Sequence, residues 1–235
     1  MSSRIAYSDA AVTFAVSVLE SRCSSIRDEY LSAVLGVGAG MAAKGLPLPA
    51  DYDVGGNGGD HPQALHNGNW DWHSYIQKGV RSSAFKNKCP KTAEAIDDLG
   101  EDLFQTPFAF AFFSTLHPKS SIKPHSGPMN LRLRIHLPLI VPPSVVVAPS
   151  PPVVSQRPER PPLGLNVGPS SRTWEYGKCV VLDDSFVHEV WNDSDGVRVV
   201  LVVDIWHPDV DAEERRDVVD MFSFAKKRGW IKQDK

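Results

Sequence analysis

The chain has 235 residues, 42% of them hydrophobic and 23% charged, enough for one sizeable core and short for two, so a single globular domain is expected. Lys and Arg number 25 against 28 Asp and Glu, and the net charge of -3 offers no electrostatic footprint for nucleic acid or anionic lipid; no nucleic-acid partner is expected. Cys23, Cys89 and Cys179 fit neither a disulfide framework nor a zinc or redox spacing, and are expected to be buried, reduced thiols.

The N-terminal apolar patch is bracketed by Asp9 and Glu20 and is followed by no small-residue cleavage site, so no signal peptide is expected. No stretch approaches the ~20 apolar residues of a membrane helix. The expectation is a cytoplasmic location without integral membrane association, which makes Asn192-Asp193-Ser194 a chance match to a glycosylation acceptor.

Residues 9–35 place Phe14, Val18, Leu19, Ile26, Tyr30, Leu31 and Val34 on an approximate helical stripe, predicting one or two amphipathic helices interrupted near Cys23 to Ser25. Eight of the 17 glycines fall between Gly36 and Gly59, where a mobile connector is expected. A strand or irregular piece should run through Trp70 to Ile76, followed by a helix after Pro90 with Thr92 as its cap.

From Phe108 onward FAFAFFSTL, LRLRIHLPLIV, KCVVLDD, FVHEVW and VRVVLVVDIW read as strands of an antiparallel β domain. Between the second and third, residues 141–170 hold nine of the 19 prolines, which lack an amide donor and fix their own torsion, so a long excursion at the sheet edge is expected. A charged capping helix over 211–226 carries Val218, Val219 and Phe222 on one side. The organisation expected is thus a helical segment and connector over 1–60, a mainly β core over 61–210 with the 141–170 insertion, and a C-terminal helix over 211–235.

Strict alternation in LRLRIHL puts Asn130, Arg132, Arg134 and His136 on one strand face and Leu131, Leu133, Ile135 and Leu137 on the other. That pattern suits a half-buried strand with its polar face in water, or a face turned inward toward an anionic ligand in a small barrel or jelly roll. In VRVVLVVDIW, Arg198 begins an apolar run, and either reaches solvent at the strand mouth or is buried and requires a counter-anion such as a ligand carboxylate. His125 and His188 flank the same β core and suggest a metal site, although each alone also reads as an ordinary surface or core histidine. His61, His66 and His73 are expected at the surface, and His117 and His207, each followed by Pro, at strand ends.

PHSGPMNLRLRIHLPL, followed by RTWEYGKCVVLDDSFVHEVWNDSDGVRVVLVVDIWHPDV, closely resembles the aspartyl/asparaginyl β-hydroxylase family of Fe(II)- and 2-oxoglutarate-dependent oxygenases, with weaker echoes in LESRCSSIRDEYL, GNWDWHSYIQKG and CPKT. The resemblance implies a double-stranded β-helix, or jelly roll, flanked by helices. It implies His125 and His188 as iron ligands, with Gly127 at the position where most of the wider superfamily has a carboxylate, and a structural role for Asp183 and Asp184. It places Arg198 and Ser114 on the distal carboxylate of 2-oxoglutarate, Arg134 and His136 on the carboxylate nearer the metal, and Arg132 on an acidic substrate group.

The implied reaction uses Fe(II), 2-oxoglutarate and O2 to hydroxylate an unactivated carbon, releasing succinate and CO2. The expected partner is a small, amino-acid-like or carboxylate-bearing molecule. The alternatives are β-hydroxylation of Asp or Asn residues in a peptide or protein, a halogenase, desaturase or cyclase outcome of the same oxidative chemistry, and a non-catalytic jelly-roll carboxylate-binding protein. The 141–170 insertion is expected to be a lid or substrate-selecting loop, or else a disordered insertion.

Overall fold

The computed structural model describes residues 9–37, 47–53, 65–143 and 160–231. Two helices open the chain, α1 (Ala10–Ser21) and α2 (Cys23–Ala33), broken at Arg22, one residue before the expected interruption. Their inward stripe is Val12, Ala15, Leu19, Cys23, Ile26, Tyr30 and Ala33. Phe14, expected on it, is 48% exposed: the buried stripe of α1 runs through Val12, Ala15 and Leu19, and Phe14 lies off that face.

The strands and later helices follow as β1 (Tyr52–Asp53), β2 (His66–Asn67), β3 (Trp70–Gln77), β4 (Val80–Arg81), α3 (Ser83–Lys88), α4 (Pro90–Asp97), β5 (Ala111–Leu116), β6 (Ser120–His125), β7 (Arg132–Ile140), β8 (Leu163–Val167), β9 (Ser170–Arg172), β10 (Val180–Leu182), β11 (His188–Asn192), β12 (Arg198–Trp206) and α5 (Ala212–Lys227). They form two antiparallel sheets. The larger has the order β1-β3-β5-β12-β7-β10 with β4 on β3, and the smaller β2-β6-β11-β8-β9. This is the mainly β architecture with flanking helices that the sequence and the resemblance led us to expect, a jelly-roll arrangement of two facing sheets.

β12 occupies the middle of the larger sheet, paired to β5 through Val200↔Ser114 and to β7 through Val202↔His136. All nine of its residues are buried, as its unbroken apolar run predicts. Val199, Leu201, Val203 and Ile205 face the helices, joining Leu133, Ile135 and Leu137 of β7 in the main core, while Val200 and Val202 face the smaller sheet. The basic face of β7 therefore points between the sheets.

Several further expectations are corrected. The proline-rich excursion is shorter than expected at its C-terminal end: the crowding of prolines stops at Pro162, and the amide donors of Leu163–Val167 let β8 pair with β11 on one side and β9 on the other. Residues 144–159, the rest of that expected lid, lie outside the described residues, as do 38–46 and 54–59 of the expected connector. Of that connector, 47–53 is docked: Leu48 is buried, its N–H donates to the Ala33 carbonyl (2.8 Å), and β1 pairs with β3. His73 is buried on β3, not exposed, His66 is half-buried on β2, and His61 lies outside the described residues.

Thr92 is likewise not a cap. It is buried in the first turn of α4, and Glu29 of α2 receives the Lys91 N–H (2.9 Å), the Thr92 N–H (2.8 Å) and the Thr92 hydroxyl (2.7 Å). A carboxylate at a helix N-terminus answers both the unsatisfied donors and the dipole. Glu29→Ala is expected to destabilise the fold by about 1–2 kcal/mol, read from the shift of the urea unfolding midpoint. A change under about 0.3 kcal/mol would mean that water replaces the cap.

α5 begins with the expected charged turn: Asp211 accepts from the Glu213 and Glu214 N–H groups, and Glu214 reaches back to the Asp211 N–H, a reciprocal capping box. Val218 and Val219 pack on the main core, and Phe222 meets Phe108 edge-on. No helix among the described residues is long and apolar enough to cross a membrane.

Candidate active site

His125 ends β6 and His188 begins β11, and the two are direct partners across those strands, with a bulge just after His188. Their ring centroids are 4.1 Å apart. Each ring is oriented in the same way, Nδ1 bonding to a carbonyl two residues earlier: Lys123 at 2.7 Å for His125 and Phe186 at 2.9 Å for His188. With Nδ1 as donor, both Nε2 atoms are left as acceptors, the tautomer that metal-binding imidazoles need. Burial lowers the pKa of both; that of His188 falls to about 4, His125 beside it adding to the effect. Two neutral imidazoles side by side are a donor set suited to Fe(II).

Among the described residues no third His, Cys, Asp or Glu joins them in a metal-holding group. The reason lies at Gly127. A Cβ there would stand 2.6 Å from Cγ of Asp184, and the Gly127 N–H bonds the Asp184 carbonyl at 2.5 Å. A third ligand on that residue would collide with a carboxylate already in place. Gly127→Asp is therefore expected to weaken metal binding about tenfold or more and to lower the melting temperature, by steric clash and like charge. Calorimetric titration with the metal checks it, and tighter binding by the variant would contradict the geometry.

The two histidines line a cavity of about 210 Å³ between the sheets. Its walls bring together every residue singled out in the sequence: Ser114 from β5, Arg132, Arg134 and His136 from β7, and Arg198 from β12, with Trp72, Phe110 and Phe112 on the apolar side. Trp72 stacks on Phe112 with centroids 4.3 Å apart.

Arg198 is 1% exposed, and of the two readings open in the sequence the buried one holds. Nη1 donates two long bonds of 3.4 Å to the Ser114 carbonyl and hydroxyl, and Nε has no hydrogen-bond partner. No carboxylate among the described residues pairs with it. Burial drags its pKa from 12.5 down to about 9, so it stays charged at neutral pH and needs an anion. The neighbouring Nδ1 of His136 is also buried without a partner, and burial, followed by the Arg198 and Arg134 charges, keeps that ring neutral. The Trp70 indole donates to Ser114 Oγ at 2.9 Å. With Trp70 and Arg198 both donating to that oxygen, the hydroxyl's own hydrogen is left for a ligand.

The basic face is corrected in one respect: two of its guanidiniums are already compensated. Asp184, 0% exposed, receives Arg132 Nη2 at 2.6 Å, and Asp204, also 0% exposed, pairs with Arg132 Nη1 at 3.0 Å. Arg134 forms a fork on Asp204, with Nε at 2.8 Å and Nη2 at 3.1 Å, and reaches Asp184 at 3.5 Å. Burial of Asp184 works to raise its pKa, but Arg134 and Arg132 outweigh it and hold it below the ordinary carboxylate range. Arg132, expected to hold an acidic substrate group, is thus spanned by two internal carboxylates and 3% exposed. Arg134 keeps 16% of its side chain exposed and is the more accessible of the two.

Asp204 was missed in the sequence. The signal was a lone acid in an otherwise apolar buried strand, which demands a cation as surely as Arg198 demands an anion.

A family model described as aspartyl/asparaginyl beta-hydroxylase matches residues 20–208. The aspartyl/asparaginyl beta-hydroxylases of mouse and human are each 30% identical over 203 residues, covering 86% of this chain and 23% and 22% of their own. The mouse aspartate beta-hydroxylase domain-containing protein 2 is 32% identical over 159 residues, 66% of this chain and 41% of its own. The chain thus spans less than half the length of these relatives. Their names correct the expectation of a small-molecule substrate partner, since aspartyl and asparaginyl denote residues within a chain. A family match over residues 20–208, joined to that identity over 86% of its length, shows that this chain belongs to the aspartyl/asparaginyl β-hydroxylase family.

Proposed function

We propose that the protein is an Fe(II)- and 2-oxoglutarate-dependent hydroxylase acting on aspartyl or asparaginyl residues of a peptide or protein. The observation that carries the reading is Arg198, charged, buried and without a counter-anion among the described residues, in the same cavity as the His125–His188 pair. Iron with 2-oxoglutarate and O2 supplies the oxidising equivalents for oxygen insertion into a C–H bond, the keto acid leaving as succinate and CO2.

The residues divide the remaining work. His125 and His188 would hold the metal, their Nδ1 atoms being engaged by backbone carbonyls. Arg198 receives the distal carboxylate of the cosubstrate, with the Ser114 hydroxyl donating beside it, oriented by Trp70. Arg134 and His136, on the same cavity wall, would serve the cosubstrate's other carboxylate. Trp72, Phe110 and Phe112 exclude water and pack against apolar ligand atoms. The Asp184 carboxylate borders the space at Gly127, which disfavours a halide there and so a halogenation outcome.

A peptide carrying Asp and Asn, incubated with iron and 2-oxoglutarate, is expected to gain one oxygen mass on one such residue with equimolar succinate, while free aspartate is left unmodified. Succinate formed equally with and without the peptide, and no mass gain, would sink this reading.

A further inference from the structure

The guanidinium of Arg198 has too few polar contacts to explain its position. Two bonds of 3.4 Å to Ser114 are weak, and a long side chain so held would retain much of its rotamer freedom. What it lies against is Trp174, in the loop between β9 and β10. The Arg198 Cζ stands 5.1 Å from the Trp174 ring centroid, over its face. Trp174 is 4% exposed and belongs to the apolar cluster between the sheets. His136 lies on the same indole, with centroids 6.2 Å apart and planes 21° apart. The indole N–H finds no acceptor among the described residues, so no hydrogen bond accounts for the ring's orientation; its packing on two charged or polar neighbours does.

We infer that Trp174 is the positioning residue that makes the site selective for a keto acid with a distal carboxylate, by holding the Arg198 guanidinium on its face in the pose that receives that carboxylate. An indole face is the best aromatic partner of a desolvated cation, and a planar guanidinium stacks on it more readily than an ammonium would. The ring thereby takes over part of the compensation that hydration supplied in the unfolded chain, and a fixed guanidinium loses less entropy when the anion arrives. This inference rests on the function proposed above and adds a residue outside the set singled out in the sequence.

The test compares two keto acids that differ only at the far end, 2-oxoglutarate and 2-oxobutyrate, titrated calorimetrically into the anaerobic iron-loaded protein. Trp174→Leu and Trp174→Met are expected to weaken 2-oxoglutarate about tenfold and to leave 2-oxobutyrate within about twofold, because only the former reaches Arg198. Trp174→Phe, which keeps an aromatic face, is expected to restore most of the loss. If Leu does not fold, Met decides alone. Equal weakening of both acids would mean that Trp174 only supports the fold, and unchanged 2-oxoglutarate affinity would mean that it does nothing for the anion; either result overturns the inference. Wild-type protein that binds iron but neither acid would instead overturn the proposed function, which separates the two failures.

Discussion

Replacing Arg198 by methionine is expected to stabilise the ligand-free protein and at the same time to cost at least a hundredfold in 2-oxoglutarate affinity. The two effects have one cause. The guanidinium belongs to a residue that is 1% exposed, lies over the Trp174 ring, and has no carboxylate partner among the described residues. A buried charge without a partner pays several kcal/mol of desolvation that a methionine of similar length does not. The ligand-free variant should therefore gain about 1–4 kcal/mol, the range seen when buried ionic groups are exchanged for well-packed apolar ones. Truncating one side of a buried charge pair costs about 2–5 kcal/mol of binding, and a hundredfold corresponds to about 2.7 kcal/mol. Urea unfolding without ligand and calorimetry with 2-oxoglutarate measure the two signs separately. A variant both less stable and unaltered in affinity would show that Arg198 is an ordinary structural arginine.

Asp204→Asn should have the opposite character, a loss of about 3–5 kcal/mol of stability with no ligand present. Asp204 is 0% exposed and holds four groups at once: Arg134 through Nε and Nη2, Arg132 at 3.0 Å and the Phe110 N–H at 3.1 Å. An amide keeps the shape, but it turns a donor toward guanidinium donors and leaves the buried Arg132 and the half-buried Arg134 to share Asp184 alone. The exposed pair Arg22–Asp98, 2.5 Å apart with side chains 35% and 45% exposed, is the control; Asp98→Asn should cost no more than about 1 kcal/mol because water and salt screen it. Equal effects at the two positions would mean that the inner network is hydrated and contributes little.

Strand period and burial were legible where a residue's surroundings follow from its own neighbours. The run in β12 announced two buried faces, and the alternation in β7 separated Arg132, Arg134 and His136 from the leucines that pack on the helices. What periodicity leaves open is which strand lies opposite. His125 and His188 meet because β6 pairs with β11 across an intervening run of four strands, a non-local choice made by the closure of the smaller sheet. The family motif supplied that pairing in place of physics. β8 was hidden by composition: the prolines before it coloured the whole stretch, although Leu163–Val167 contains none. Arg132 was expected on an acidic substrate group because its face was considered without its neighbour, while Asp204 lies across from Arg134 in the adjacent strand. Trp174 stood inside the quoted RTWEYGKC motif without a role, since an aromatic in a loop takes its meaning only from the side chains that close over it.

His125, His188 and Arg198 line one cavity, and on the function proposed here the two histidines would hold one iron with 2-oxoglutarate bound at the Arg198 end. Equilibrium dialysis of anaerobic Fe(II) against the wild-type protein and against His188→Ala and His125→Ala tests it most directly. One iron per wild-type chain, bound more tightly when 2-oxoglutarate is present, and none in either variant, is the predicted result; iron retained at full stoichiometry by both variants would contradict it.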